Sequence, residues 1–232
     1  MKSSAWVARS WALGVALSLL AAVPARAANI GFTLDPQAGD GRISYKGGAN
    51  SLLGTDLGVA ALTGLGVPSN GGSPILVENG LLNFSTGPSL DDNIVGPKTQ
   101  WSFASGGSVT ITGGVPSLGI PDGTPLLTGS FTGVSAVIAL DSSDDLKMEG
   151  GAFTSSKVDP RILGFLGLPT NLAYKGGLST FFAAAGNPAQ AFASGGFSSG
   201  SVTIQPVPEP ATVVVLAVGL GLVGAWYRKR MA

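Results

Sequence analysis

The sequence predicts an all-β chain, an antiparallel β-sandwich with the jelly roll as one form of it, on three observations. Glycine is dense, with 32 of the 36 glycines falling between residues 28 and 205. Glycine inside a helix costs roughly 0.5–1 kcal/mol relative to alanine, so a helix-rich fold is disfavoured. Short apolar runs recur between the glycines, which sets the chain apart from low-complexity, disordered sequences. Several runs alternate polar and apolar side chains, as half-buried strands do.

The elements follow in chain order. Residues 54–74 read as a long Gly-rich loop. Ile75–Val77 and Leu81–Phe84 flank Glu78-Asn79-Gly80, an Asn-Gly hairpin signal. Ser108–Thr112 alternates as a strand, and Leu126–Thr132 and Val134–Leu140 read as two more, hinged at Gly133. Turn signals stand at Pro121-Asp122-Gly123, Gly150-Gly151 and Gly176-Gly177. Short helices are predicted over Pro160–Leu168 and Ser179–Ala185, and Ser201–Gln205 is a final strand. Phe103–Gly107 before Ser108–Ile111 echoes Phe192–Gly196 before Ser201–Ile204. Two copies do not make a solenoid, so the echo is read as two similar strands of one sandwich rather than a duplication. Residues 28–205 suffice for one domain with a real core.

The two ends differ from this body. Lys2 and Arg9 precede an uncharged, mostly apolar run, Trp11–Val23, followed by Pro24 and Ala25-Arg26-Ala27. Positive start, short apolar run and small-x-small site together describe a signal peptide, residues 1–27, removed between Ala27 and Ala28. At the other end Ala211–Tyr227 carries no charge, and Arg228-Lys229-Arg230 closes it. Seventeen helical residues span roughly 25 Å, the short end of a membrane-crossing helix. Trp226 and Tyr227 stand where interfacial aromatics belong, and the basic trio anchors that end in the cytoplasm. Pro208 and Pro210 keep the preceding linker extended and open to a protease.

Val207-Pro208-Glu209-Pro210, an apolar helix and a basic cluster together resemble the PEP-CTERM sorting domain, here residues 206–232. The resemblance implies an exosortase, a polytopic membrane enzyme that removes the tag at Pro208, Glu209 and Pro210. It also implies a Gram-negative-type cell that makes exopolysaccharide or biofilm matrix. Signal peptidase and this enzyme are then the expected partners, with exopolysaccharide as a further one. The route is export, transient anchoring in the inner membrane, and release to the cell surface or extracellular matrix.

Composition excludes several chemistries. Residues 28–205 hold seven Lys and Arg against twelve Asp and Glu, a net charge of −5, which gives no footprint for nucleic acid. The chain has no cysteine and no histidine. Ser-His-Asp and Cys-His catalysis are thereby impossible, and the commonest zinc ligand is missing. No cofactor is expected, calcium being the one candidate. Asp141, Asp144, Asp145 and Glu149 place four carboxylates within nine residues, an oxygen-rich set for a hard cation, without EF-hand spacing. The plain alternative is a solvated acidic turn. The expected function is non-enzymatic, a surface or matrix protein. The alternatives are a module binding cations or polysaccharide, and a carboxylate-dependent glycan-active enzyme.

Overall fold

The computed structural model describes residues 28–67, 69–70, 72–95, 98–139, 145–185 and 191–207. Twelve strands follow in order: β1 (Asn29–Leu34), β2 (Arg42–Tyr45), β3 (Ser51–Leu65), β4 (Ile75–Val95), β5 (Lys98–Phe103), β6 (Gly106–Val115), β7 (Ile120–Phe131), β8 (Ser135–Ala139), β9 (Asp145–Val158), β10 (Tyr174–Ala185), β11 (Phe192–Ser194) and β12 (Ser199–Pro206). One short α-helix, α1 (Pro160–Leu166), lies between β9 and β10, and a 3-10 turn, Pro116–Leu118, joins β6 to β7. The all-β antiparallel expectation holds.

The two separate sheets of a sandwich do not appear. All twelve strands belong to one sheet, and it closes on itself. The hairpins β3–β4 and β9–β10 run its full length. At one end the strands that fill the gaps are β1 with β12 and β6 with β7. At the other end they are β2 with β11 and β5 with β8. Each end is thus ringed by eight strands, and closure removes the free edges that an open sheet must protect.

The closed sheet is built from two equivalent halves. β1–β6 and β7–β12 take the same path, and every pairing inside one half recurs in the other. The halves join by exchange: the first strand of each pairs with the last of the other, and the second with the fifth. The sequence echo falls on matching strands. Ser108 opposes Ser85 in one half and Ser201 opposes Ser179 in the other. The next residues, Thr86 and Thr180, are both buried. The echo therefore marks a structural repeat, not a coincidence of two strands.

The interior is apolar and filled. On β12, Val202 and Ile204 point inward while Ser201, Thr203 and Gln205 are exposed. That polarity is the reverse of a membrane-spanning barrel, whose lipid-facing positions are apolar. Tyr45, Trp101, Phe103, Phe182 and Phe192 form one aromatic cluster in the half of the barrel ringed by β2, β11, β5 and β8. Phe84, Phe131 and Phe153 form a second, joined edge to face with centroids 6.2 Å apart.

Glycine explains where sequence and structure part. The turn signals at Gly150-Gly151 and Gly176-Gly177, the loop over 54–74 and the helix over 179–185 all fall largely or wholly within long strands. Gly54 lies opposite Phe84, and Gly176 opposite Phe153. A Cβ on either glycine would overlap the facing ring, so these glycines make room for aromatics instead of breaking the strand. Asn79-Gly80 is no hairpin either. β4 runs straight through it, with Asn79 at φ 47° and a register shift between Glu78 and Leu81, a bulge in place of a turn. Pro121-Asp122-Gly123 likewise sits inside β7.

Helix α1 is the one helical expectation that stands. Asp159 caps it by accepting from the Arg161 backbone N–H at 2.9 Å, and Pro160 occupies its first position. The Arg161 guanidinium returns to Asp159 at 2.9 Å and donates to the Gly119 carbonyl at 2.9 Å. Ile162, Leu163 and Leu166 are buried. The Arg161 guanidinium holds the Asp159 carboxyl below its usual range, outweighing burial, which acts the other way. A carboxyl with a depressed folded value stabilises the fold above its unfolded value, and that contribution is lost as pH falls through the folded one. Asp159→Ala is expected to cost about 1–2 kcal/mol at neutral pH, the scale of a lost cap. Its loss of stability below about pH 4, the ordinary Asp range, should be shallower than in the parent. Thermal melts across pH check both.

Candidate functional site

The two chain ends leave the barrel together. Ile30 pairs with Ile204 in the β1–β12 ladder, so the same register sets Ala28 across from Pro206. β12 is also paired with β10 as far as Pro206, and the Val207 N–H donates to the Ala173 carbonyl at 2.8 Å. Antiparallel neighbours lie about 5 Å apart. The expected signal-peptide site at Ala27-Ala28 and the linker that follows Val207 therefore emerge side by side.

The same end gathers three connections: residues 66–74, 116–119 and 167–173. None of them contains a charged residue. They present Val67, Leu118 and Leu172, each half-buried against the core, beside Leu65 at 54% and Phe165 at 42% exposure. Leu166 of α1 packs near Gly64, which holds the helix across this end. Asp159 and Arg161 are paired with each other there, and Asp122 accepts from Asn79 at 2.8 Å. Lys157 and Lys175, both exposed, flank the end from β9 and β10. In contrast, the β2–β3 connection at the opposite end carries Lys46.

The expected site residues fall in several places. Ala28 is half-buried and packs against the core. Ala25, Ala27, Pro208, Glu209, Pro210, Arg228, Lys229 and Arg230 lie outside the described residues, as do Asp141 and Asp144. Asp145 opens β9, and Glu149 lies within that strand, not in a loop after Leu140. The Glu149 carboxylate is ion-paired with Lys147, whose ammonium also sits 5.2 Å from the Phe181 ring centroid. Among the described residues no three carboxylates come close enough to hold a metal ion. Among them also no helix is long and apolar enough to cross a membrane, and the segment 211–227 is not one of them.

The apolar end was missed in the sequence because its parts are distant in the chain. The available signal was the absence of charge from 66–74, 116–119 and 167–173, which has meaning only once the topology brings them together.

Comparison with known proteins places the tag. Residues 206–230 match the family model described as the PEP-CTERM protein-sorting motif. The chain thus carries a sorting motif, which implies export, a membrane-anchored sorting signal and processing by an exosortase-like enzyme. No curated protein and no solved structure gives a significant match to the chain.

Proposed function

We propose that this is a non-enzymatic protein of the cell surface or the exopolysaccharide matrix, delivered by two cuts. Signal peptidase removes residues 1–27, and an exosortase-like enzyme acts at Pro208-Glu209-Pro210 while Ala211–Tyr227 spans the inner membrane with Arg228–Arg230 in the cytoplasm. The observation that carries this reading is the coincidence of two boundaries. The last strand, β12, ends at Pro206, and the matched sorting motif begins at residue 206. Fold and address therefore meet at Pro206, and a cut at Pro208-Glu209-Pro210 costs the barrel no strand.

The barrel suits a structural role. Its interior is packed with side chains and its wall is polar. Asp159, paired with the Arg161 guanidinium, is used in capping α1. The test is intact mass and fractionation of the mature species in its native cell. The expected product lacks Met1–Ala27 and everything from Ala211 onward, and is recovered from the surface or matrix. A product that keeps its C-terminus overturns the reading.

A further inference from the structure

We propose that, while the sorting segment is attached, the barrel end from which both termini leave rests on the lipid bilayer, with Leu65, Val67, Leu118, Phe165 and Leu172 among the headgroups. The inference rests on the membrane-anchored reading above and adds which surface meets the lipid. Chain length sets the geometry. Only Val207–Pro210 separates the end of β12 from the apolar segment at Ala211. Four residues at about 3.1–3.6 Å each reach roughly 12–14 Å, of which the interfacial layer on one side of a bilayer takes about 5–8 Å. A folded domain on so short a tether stays within a few ångströms of the headgroups. The end facing the bilayer is the one that holds Val207.

The surface at that end fits such a neighbour. Its three connections are free of charge, and it keeps three large apolar side chains, Leu65, Leu76 and Phe165, well exposed. Transfer of such side chains out of water is favourable. Lys157 and Lys175 flank the apolar tip, where they meet anionic headgroups. Asp122 is held by Asn79 and by the Gly123 backbone N–H, so it keeps partners without water. The other exposed large apolar residues, Leu90 and Val134, lie away from this end, on β4 beyond its β6-paired stretch and in the β7–β8 connection.

The absence of cysteine makes the test clean. Single variants Leu65→Cys, Phe165→Cys, Leu90→Cys and Val134→Cys of the full chain are labelled with a polarity-sensitive dye. They are then reconstituted into vesicles of phosphatidylethanolamine and phosphatidylglycerol. Labels at 65 and 165 should emit at shorter wavelength than those at 90 and 134, and should lose intensity when nitroxide-labelled lipid is added. Near-ultraviolet circular dichroism confirms that each variant is folded. If all four labels behave alike while alkali fails to extract the chain, the anchor stands and the docking proposal falls. If alkali extracts the chain, the membrane-anchored reading fails and takes the proposal with it.

Discussion

Glu209→Ala should leave the C-terminal tag uncut and the protein in the inner membrane. The linker between the barrel and the apolar segment is four residues long, two of them proline. Proline fixes φ and offers no N–H, so a protease has little backbone to grip there. Glu209 is the only acidic residue after Asp159, and it is the one charged side chain that the linker presents. Removing it is expected to abolish the C-terminal cut almost completely. The N-terminal cut should proceed, leaving Ala28 as first residue. The fold should be unaffected, since the last strand is complete at Pro206. Glu209→Gln keeps the size and loses the charge, and should fail in the same way if charge is what the enzyme reads. Intact mass of the membrane fraction decides. An unchanged mature mass in Glu209→Ala would sink the recognition role assigned to the carboxylate.

Phe153→Ala should be among the most damaging single substitutions in the barrel. The ring is 1% exposed and meets Phe131 edge to face, and Phe131 meets Phe84 in turn. It also covers the backbone of Gly176 on the neighbouring strand. Truncation would open a cavity with a glycine as its floor, and that glycine has no side chain to relax into it. The expected cost is about 3–5 kcal/mol, the range for a buried phenylalanine. That is a large part of the 5–15 kcal/mol typical of a folded domain. Phe153→Leu keeps most of the volume and should cost less than half as much. Denaturant unfolding of the two variants checks the ratio. Near-equal values would mean that the ring's contact with Gly176 and Phe131 contributes nothing particular.

Much of the fold could be read in the residues. The alternation at Ser108–Thr112 and Ser201–Gln205 and the apolar runs at 126–132 and 134–140 match strands β6, β12, β7 and β8. Pro160 opened a helix as expected. What misled was glycine, taken as punctuation. Gly54, Gly151 and Gly176 lie in mid-strand because aromatic side chains from neighbouring strands use the space over them. That is a property of two strands together, and no single segment displays it. Asn79-Gly80 failed for a similar reason, since the positive φ of Asn79 serves a bulge as well as a hairpin turn. The duplication was visible in the Phe-Ala-Ser-Gly-Gly echo but undervalued, because only strand pairing shows that the echoing segments hold equivalent places. The sorting motif was legible in full because its signals are contiguous. The apolar barrel end was not, because 66–74, 116–119 and 167–173 are brought together by pairing alone.

Pairing the first strand with the last has a consequence in time. During export the N-terminal strand reaches the outside first, and it must wait for residues 199–206, its partner in β12. β6 and β7 can join early, since they are adjacent in the chain. The seam between β1 and β12 closes last, after nearly all of the body has crossed, and such long-range closure is slow. The sorting motif follows immediately behind that strand. A polypeptide broken off anywhere upstream therefore loses its closing strand and its address in one event.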